Sequence, residues 1–313
     1  MKLYKFTKLE YALDIIKNNR LYLSVPEEFN DPFDCVLESN DADLKTAGEL
    51  ITNYYNFVDL HSYVVANKHL FTKNQDDADK IIQHWENLKT TLFLYPRYTK
   101  FDFVEKLLKT SNAVDYLKID AKRKEEYKYL IRRTMNDIRN KALVYCFCKQ
   151  NKSILMWSHY ANAHKGVCIE FEVPQDEKDL VEVIYDDKKS KFDIVTVISM
   201  ILALEFLKKE FDASNQKFNL EIMKPYYTKS KEWSYEQEFR YIFHKNGTKR
   251  VFVENGHYYT KCPKIVSITF GCRIDRNDLV YKEIVNVAKL NNIMIKHASV
   301  NTDSFSLDEL SNK

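Results

Sequence analysis

Between positions 231 and 243 the chain reads KEWSYEQEFRYIF, which sets Glu236, Glu238 and Arg240 at every second residue. On an extended strand alternate side chains share a face. Ser234, Glu236, Glu238 and Arg240 then line one side, and Trp233, Tyr235, Phe239, Tyr241 and Phe243 line the other. The two carboxylates would lie about 7 Å apart. Such a pair can hold a cationic or electron-poor sugar centre, while Arg240 keeps one carboxylate ionised or grips a phosphate. The same spacing also describes a solvated strand face closed by a salt bridge.

Two other stretches carry residue types with chemical potential. MWSHYANAHKGVCIEFEV, residues 156–173, puts Trp157, Ser158 and Tyr160 on one helical turn ahead of a strand opened by Gly166. They can form a binding wall or simply pin the helix to a sheet by aromatic packing. EEFNDPFD, residues 27–34, is a rigid turn in which Asn30 and Asp31 either brace the chain or close over a ligand. His159, His164, Cys146 and Cys148 lack the paired spacing of a zinc site. Phosphate-loop, dinucleotide-fingerprint, nucleophile-elbow and H-E-x-x-H patterns do not occur.

These residues need elements to position them. KLYKF and RLYLS read as short strands around a helix, TKLEYALDIIKNN, with Thr7 as its cap and Asn18-Asn19 as its stop. Residues 41–141 change character: 76–95, 100–117 and 120–142 show helical periods rich in Lys and Glu, as in a large helical insertion. ALVYCFCKQ returns to strand, Ser153 caps a short helix, and GVCIEFEV places Val167, Ile169, Phe171 and Val173 on one face. DLVEVIY reads as one strand and 190–211 as a helix. The last third alternates EFRYIFH, KRVFVE and IVSITFG with a helix, 276–292, and a final strand, IMIKHASV. The class is α+β, with mainly antiparallel pairing among the late strands.

At 313 residues the chain can bury a real core. With 48 basic against 45 acidic side chains, net +3, it has no global electrostatic pull toward nucleic acid. Five glycines and six prolines favour long regular elements, and 21 Tyr with 19 Phe suit both packing and stacking on flat ligands. The first residues show no apolar signal core, and the longest apolar segment is interrupted by Asp193 and Glu205. A cytoplasmic protein with no membrane partner is expected, its six scattered cysteines (35, 146, 148, 168, 262 and 272) free thiols.

LYLSVPEEFNDPFD, MWSHYANAHKGVCIEF and KEWSYEQEFRYIF, in that order, resemble the motifs of an uncharacterised bacterial domain family of unknown function. The resemblance spans nearly the whole chain, and 41–141 is its least characteristic part. A more distant resemblance is to the ADP-ribosyltransferases. These have three motifs in chain order: an Arg or His on the first strand, a Ser/Tyr region beside nicotinamide, and a glutamate on a later strand, often in an E-x-E pair. Here LYKF, WSHYANAHKGVCIEFEV and YEQEF stand in those places.

That second resemblance implies one transferase-like domain over 1–313, a mostly antiparallel split sheet with 41–141 inserted, and NAD as substrate. Glu238 would be catalytic, bonding the ribose 2′-hydroxyl and countering an oxocarbenium-like charge, as glycosidase carboxylates do. Glu236 would orient or deprotonate the nucleophile. Tyr160 would stack on nicotinamide beside Trp157, Ser158 would brace Glu238 or the ribose, and Tyr4 and Lys5 would meet the adenosine ribose or diphosphate. Arg240, Asn30 and Asp31 complete the NAD-binding set. The first strand departs from the pattern in having Lys5 where the family has Arg or His, so Arg20 or Arg240 are further candidates for that place. The acceptor would be a protein, a nucleic acid or a small molecule, and the resemblance implies a toxin or anti-phage effector. The basic helix at 122–133 is either a solvated face or a contact for an acidic target. Two other readings stand beside it: a non-catalytic nucleotide- or partner-binding module, and a nuclease using Asp31, Asp34, Glu236 and Glu238 around Mg²⁺.

Overall fold

The computed structural model describes residues 1–66, 121–207, 223–245 and 249–311, with positions 79, 82, 83 and 87. Alternating side chains open the chain as β1 (Lys2–Thr7), and apolar residues at helical spacing make α1 (Leu9–Asn18), which buries Leu9, Ala12, Ile15 and Ile16. Thr7 does not cap α1. Lys8 precedes the helix in extended conformation without a side-chain bond, and Thr7 closes the β1 pairing opposite Val167. Asn19 ends α1 at φ 50°, a left-handed conformation that Asn tolerates.

β2 (Arg20–Tyr22) and a 3-10 turn at Pro26–Glu28 lead to α2 (Asp41–Ala66), and α3 (Ala121–Lys141) leads back into β3 (Ala142–Cys148). The helical segments expected at 76–95 and 100–117 lie outside the described residues, isolated positions apart. Ser153 caps α4 (Ile154–Tyr160), its hydroxyl accepting from Met156 N. β4 (Val167–Glu172) then follows. The stretch expected as one strand is two: β5 (Leu180–Glu182) joins the large sheet and β6 (Ile184–Asp186) a separate pair. The helix expected at 190–211 is α5 (Ile194–Leu207), beyond which the expectation again leaves the described residues. β7 (Thr228–Ser230), β8 (Glu238–His244), β9 (Val251–Glu254), β10 (His257–Lys261), β11 (Lys264–Phe270), α6 (Leu279–Leu290), β12 (Met294–Val300) and β13 (Leu307–Ser311) complete the order.

The chain divides into two compact units. One comprises Met1–Val36, Arg139–Ser190 and Pro225–Lys313; the other comprises Leu37–Ile138 and Lys191–Lys224. Within the second, α2 packs against α5. The first holds an eight-stranded mixed sheet ordered β13-β12-β11-β4-β1-β3-β8-β5 and a small sheet ordered β2-β10-β9. Late pairings are antiparallel except β11 with β12, which run parallel because α6 crosses between them. β6 and β7 are also parallel.

One face of the large sheet buries Leu3, Tyr145, Phe147, Val167, Ile169, Phe171, Phe239 and Tyr241 with the inner sides of α1 and α6. The expected row of Val167, Ile169, Phe171 and Val173 is entirely buried there. The opposite face carries Phe6, Cys148 and Cys168 under Met156 and Trp157 of α4. β1 and β3 pair only at Tyr4 and Cys148. Lys5 spans their divergence, its Nζ donating to the Cys146 carbonyl at 3.0 Å, which supplies a partner the ladder does not.

Two glycines let backbones meet across this fold. A Cβ on Gly166 would lie 2.3 Å from the Thr7 carbonyl oxygen, and one on Gly271 would lie 2.1 Å from that of His164. Neither backbone oxygen can yield as a flexible side chain would. Gly166→Ala is therefore expected to lower stability by about 2–3 kcal/mol, read as an earlier urea midpoint. Gly48→Ala meets no atom within 4 Å in α2 and is expected to raise stability by about 0.5–1 kcal/mol.

Candidate functional site

The polar centre of the first unit is Arg240, whose side chain is 0% exposed. A buried guanidinium has five N–H groups to satisfy. Nε and Nη2 donate to the two oxygens of Glu238 at 2.8 and 2.9 Å, and Nη1 and Nη2 to the two oxygens of Asp34 at 2.8 and 2.6 Å. The remaining Nη1 proton meets the Tyr226 carbonyl at 2.7 Å. Two bidentate carboxylates and one carbonyl thus saturate it.

Strand parity explains part of this. Cys148 pairs with Tyr4 on one side and Glu238 on the other, and Cys146 pairs with Arg240. Tyr4, Cys148 and Glu238 therefore form a row on one face, with Arg240 in the next. Glu236 reaches the same place by another route. Residues Lys231–Glu236 form a 3-10 helix capped by Ser230, and Gln237 adopts φ 43° before β8 begins. The expectation of a continuous strand over 231–243 fails at that kink, so Trp233 and Tyr235 do not share the apolar face of β8.

Lys229 ties the carboxylates together. Its Nζ lies 2.6 Å from Glu236, 3.4 Å from Glu238 and 3.6 Å from Asp34, and 4.8 Å from the centre of the Trp233 ring. β6 and β7 position it: Tyr185 pairs with Lys229, and the Tyr185 hydroxyl accepts from Glu238 N–H at 2.8 Å. The Tyr160 hydroxyl donates to Glu236 Oε1 and is met by the Asn30 side chain.

Three carboxylates against two cations leave one negative charge over, and the surroundings of each group decide where it falls. Burial opposes ionisation of Glu238, but Arg240 and Lys229 outweigh it and hold its pKa at about 2. Burial also raises Glu236, only partly opposed by Lys229 and reinforced by the charge on Glu238. Burial and the Glu236 charge push Tyr160 well up, keeping the phenol protonated. Lys229 is pushed down by burial and up, more strongly, by its three carboxylates. Burial raises Cys146, and raises Cys148 to about 11, so both stay thiols.

The remaining expected site residues divide. Tyr4, like Tyr160 and Tyr235, packs against the buried cluster around Trp157. Asp31 is buried, accepts from Phe33 N at 2.9 Å, and lines a cleft of about 280 Å³ with Phe33, Lys188, Thr228 and Lys229. Trp157 is core: its Nε1 donates to the Asn151 carbonyl and its ring meets Phe6 edge-on at 5.2 Å. Ser158 is exposed, and its hydroxyl pairs with His164 Nε2 at 3.1 Å and not with a carboxylate. Lys5 is held by the Cys146 carbonyl. Lys229 and Tyr185 were not among the expected residues, because the β6–β7 pairing that brings them in joins segments more than forty positions apart.

Truncating Arg240 leaves Asp34 and Glu238 buried and less compensated. Arg240→Met is expected to cost about 3–5 kcal/mol in urea unfolding at neutral pH. Because the pKa of Glu238 is depressed in the fold, its contribution is full above the ordinary carboxylate value. It is lost as pH falls from there through about 2. The urea midpoint of the wild type should drop across that window, and Glu238→Gln should flatten this part of the profile.

Among the described residues no group of three His, Cys, Asp or Glu side chains is placed to hold a metal ion, and no helix is long and apolar enough to cross a membrane. No curated protein and no solved structure matches the chain. A family model described as protein of unknown function (DUF2971) matches residues 156–241, the span that carries Tyr160, Tyr185, Lys229, Glu236, Glu238 and Arg240. Over that span the chain is similar to an uncharacterised domain family.

Proposed function

We propose that the protein is an NAD-consuming ADP-ribosyltransferase or NAD glycohydrolase, built on an ADP-ribosyltransferase-like variant of the mixed α+β sheet. The observation that carries this reading is the meeting of Tyr160, Glu236 and Lys229 above Glu238. Leaving nicotinamide takes the electron pair of the glycosidic C–N bond and leaves positive charge on the ribose. A carboxylate withdrawn from water counters that charge more strongly than a solvated one. Glu236 is such a group, since burial makes its own ionisation costly.

The two glutamates then take different parts. Glu238, with both oxygens on Arg240, is a positioning residue that keeps Lys229 and the strand end in place. Glu236 faces the ribose and exchanges the Tyr160 hydroxyl for a ribose hydroxyl. Tyr160, Tyr235 and Tyr4 supply flat surfaces for nicotinamide, and Asn30, at the Tyr160 hydroxyl, borders the same place. Water, or a hydroxyl of an acceptor protein or nucleic acid, completes the displacement at the ribose carbon. An effector role, as toxin or antiviral agent, fits a reaction that drains NAD.

One observation favours the non-catalytic module as a second reading: every donor of Arg240 and both oxygens of Glu238 are already satisfied internally. Nicotinamide release from NAD by purified protein separates the two. Turnover is expected, reduced about 10²–10³-fold in Glu236→Gln, with an acidic limb above the ordinary glutamate pKa because that of Glu236 is raised. Tyr160→Phe should raise KM for NAD more than it lowers kcat. NAD binding without release in a folded wild type would select the module, and neither binding nor release would remove the NAD reading.

A further inference from the structure

β8 has a second side. Glu238 and Arg240 point to one face and Tyr241 to the other, where it meets a groove of about 620 Å³. That volume lies within the range of about 300–1,000 Å³ typical of small-ligand sites. The groove is rimmed by Lys249, Arg250, Lys261 and Lys264 from the two ends of the β9–β10 ribbon. Asn255 and Gly256, both at positive φ, turn the ribbon tightly. From 245 to 264 the chain carries five Lys or Arg and one Glu. A protein of net +3 therefore holds an excess greater than its whole charge in this one ribbon.

The charges differ in how far they are already matched. Arg250 is taken by Glu177 and Asp179, and Lys264 forms an exposed pair with Glu172. Lys249 and Lys261 are exposed and meet no carboxylate within ion-pair distance among the described residues. Phe252, 42% exposed, lines the same groove. One side of its ring stacks on Tyr259 at 5.9 Å with an interplanar angle of 24°.

We propose that this groove binds single-stranded nucleic acid, with Lys249 and Lys261 on phosphates and a base against Phe252. Unmatched cations attract any polyanion. An exposed ring held rigid by a second ring is a stacking surface that an unpaired base uses and an acidic peptide does not. A duplex keeps its bases stacked inside and leaves that ring unused. The proposal is independent of the NAD reading, since it concerns the other face of β8 and needs no turnover.

Fluorescence polarisation of a labelled single-stranded oligonucleotide against the full chain, across a salt series, tests it. Expected is binding that weakens with salt at a log–log slope of roughly −0.7 per phosphate contacted. Lys249→Gln with Lys261→Gln should shallow that slope by about 1.4, and Phe252→Ala should weaken binding about five- to hundredfold. Lys8→Gln with Lys165→Gln, a charge-matched change outside the groove, should leave binding unaltered. Thermal melts by circular dichroism confirm that each variant is folded. No binding at low salt, or equal losses in the control pair, would overturn the proposal. So would duplex binding as tight as single strand without dependence on Phe252, or polyglutamate binding more tightly than the oligonucleotide.

Discussion

A guanidinium with no access to water must be surrounded before the fold can close, and the surroundings of Arg240 come from three separate places in the chain. Asp34 arrives on the loop after β2, Glu238 on the same strand, and the Tyr226 carbonyl from the turn before β7. The planar fork of Arg fits two carboxylates side by side, whereas the point charge of Lys would leave donors and acceptors mismatched. Replacing the whole set of charges by packed apolar side chains would rival the ion cluster in stability, whereas removing Arg240 alone leaves Asp34 and Glu238 buried and less compensated. What the charges add is specification: only one placement of the 31–34 loop against β8 satisfies all of them.

That placement sets the charge state of everything nearby. With Glu238 held ionised by Arg240, the surplus negative charge of the cluster is pushed toward Glu236, where Lys229 and the Tyr160 hydroxyl only partly offset burial. A carboxylate whose ionisation is costly interacts more strongly with a nearby cation than one already satisfied, and the protonated Tyr160 beside it donates it a hydrogen bond. The poise of Glu236 thus depends on Arg240 through Glu238, although Glu236 itself lies outside the β8 ladder.

How much of this was legible depended on whether the governing contact was local. Alternation placed Glu238 and Arg240 on a common face and Phe239, Tyr241 and Phe243 on the buried one, because a strand ladder enforces parity. Parity also put Glu236 with them, but the chain reaches that position through a 3-10 turn and a left-handed Gln237, which local pattern did not signal. Tyr160 was legible as an aromatic of the short helix, expected to stack on a flat ligand, but its hydroxyl bond to Glu236 was not. Ser158 was not, since a local partner, His164, takes its hydroxyl, and Trp157 went to the core as a large aromatic on a short helix ordinarily does. Lys229 stayed hidden because its burial depends on a parallel pairing between β6 and β7 that neither segment announces. β10 and β13 were likewise missed: short strands are defined by their neighbours more than by their own residues.

The rigidity of β8 links these observations. Its ladder with β3 is continuous from Glu238 to His244, so the spacing between ion cluster and apolar core is set by covalent geometry and hydrogen bonds and not by side-chain choice. Polar groups on such a strand hold their separation far better than groups on a loop. Loops and turns supply the rest: Asp34 sits on the loop after β2, Glu236 on the 3-10 turn before β8, and Asn30 beside the Tyr160 hydroxyl. The strand thus fixes the spacing of Glu238 and Arg240, while the 31–34 loop and the 3-10 turn bring to that fixed pair the two carboxylates it does not carry itself.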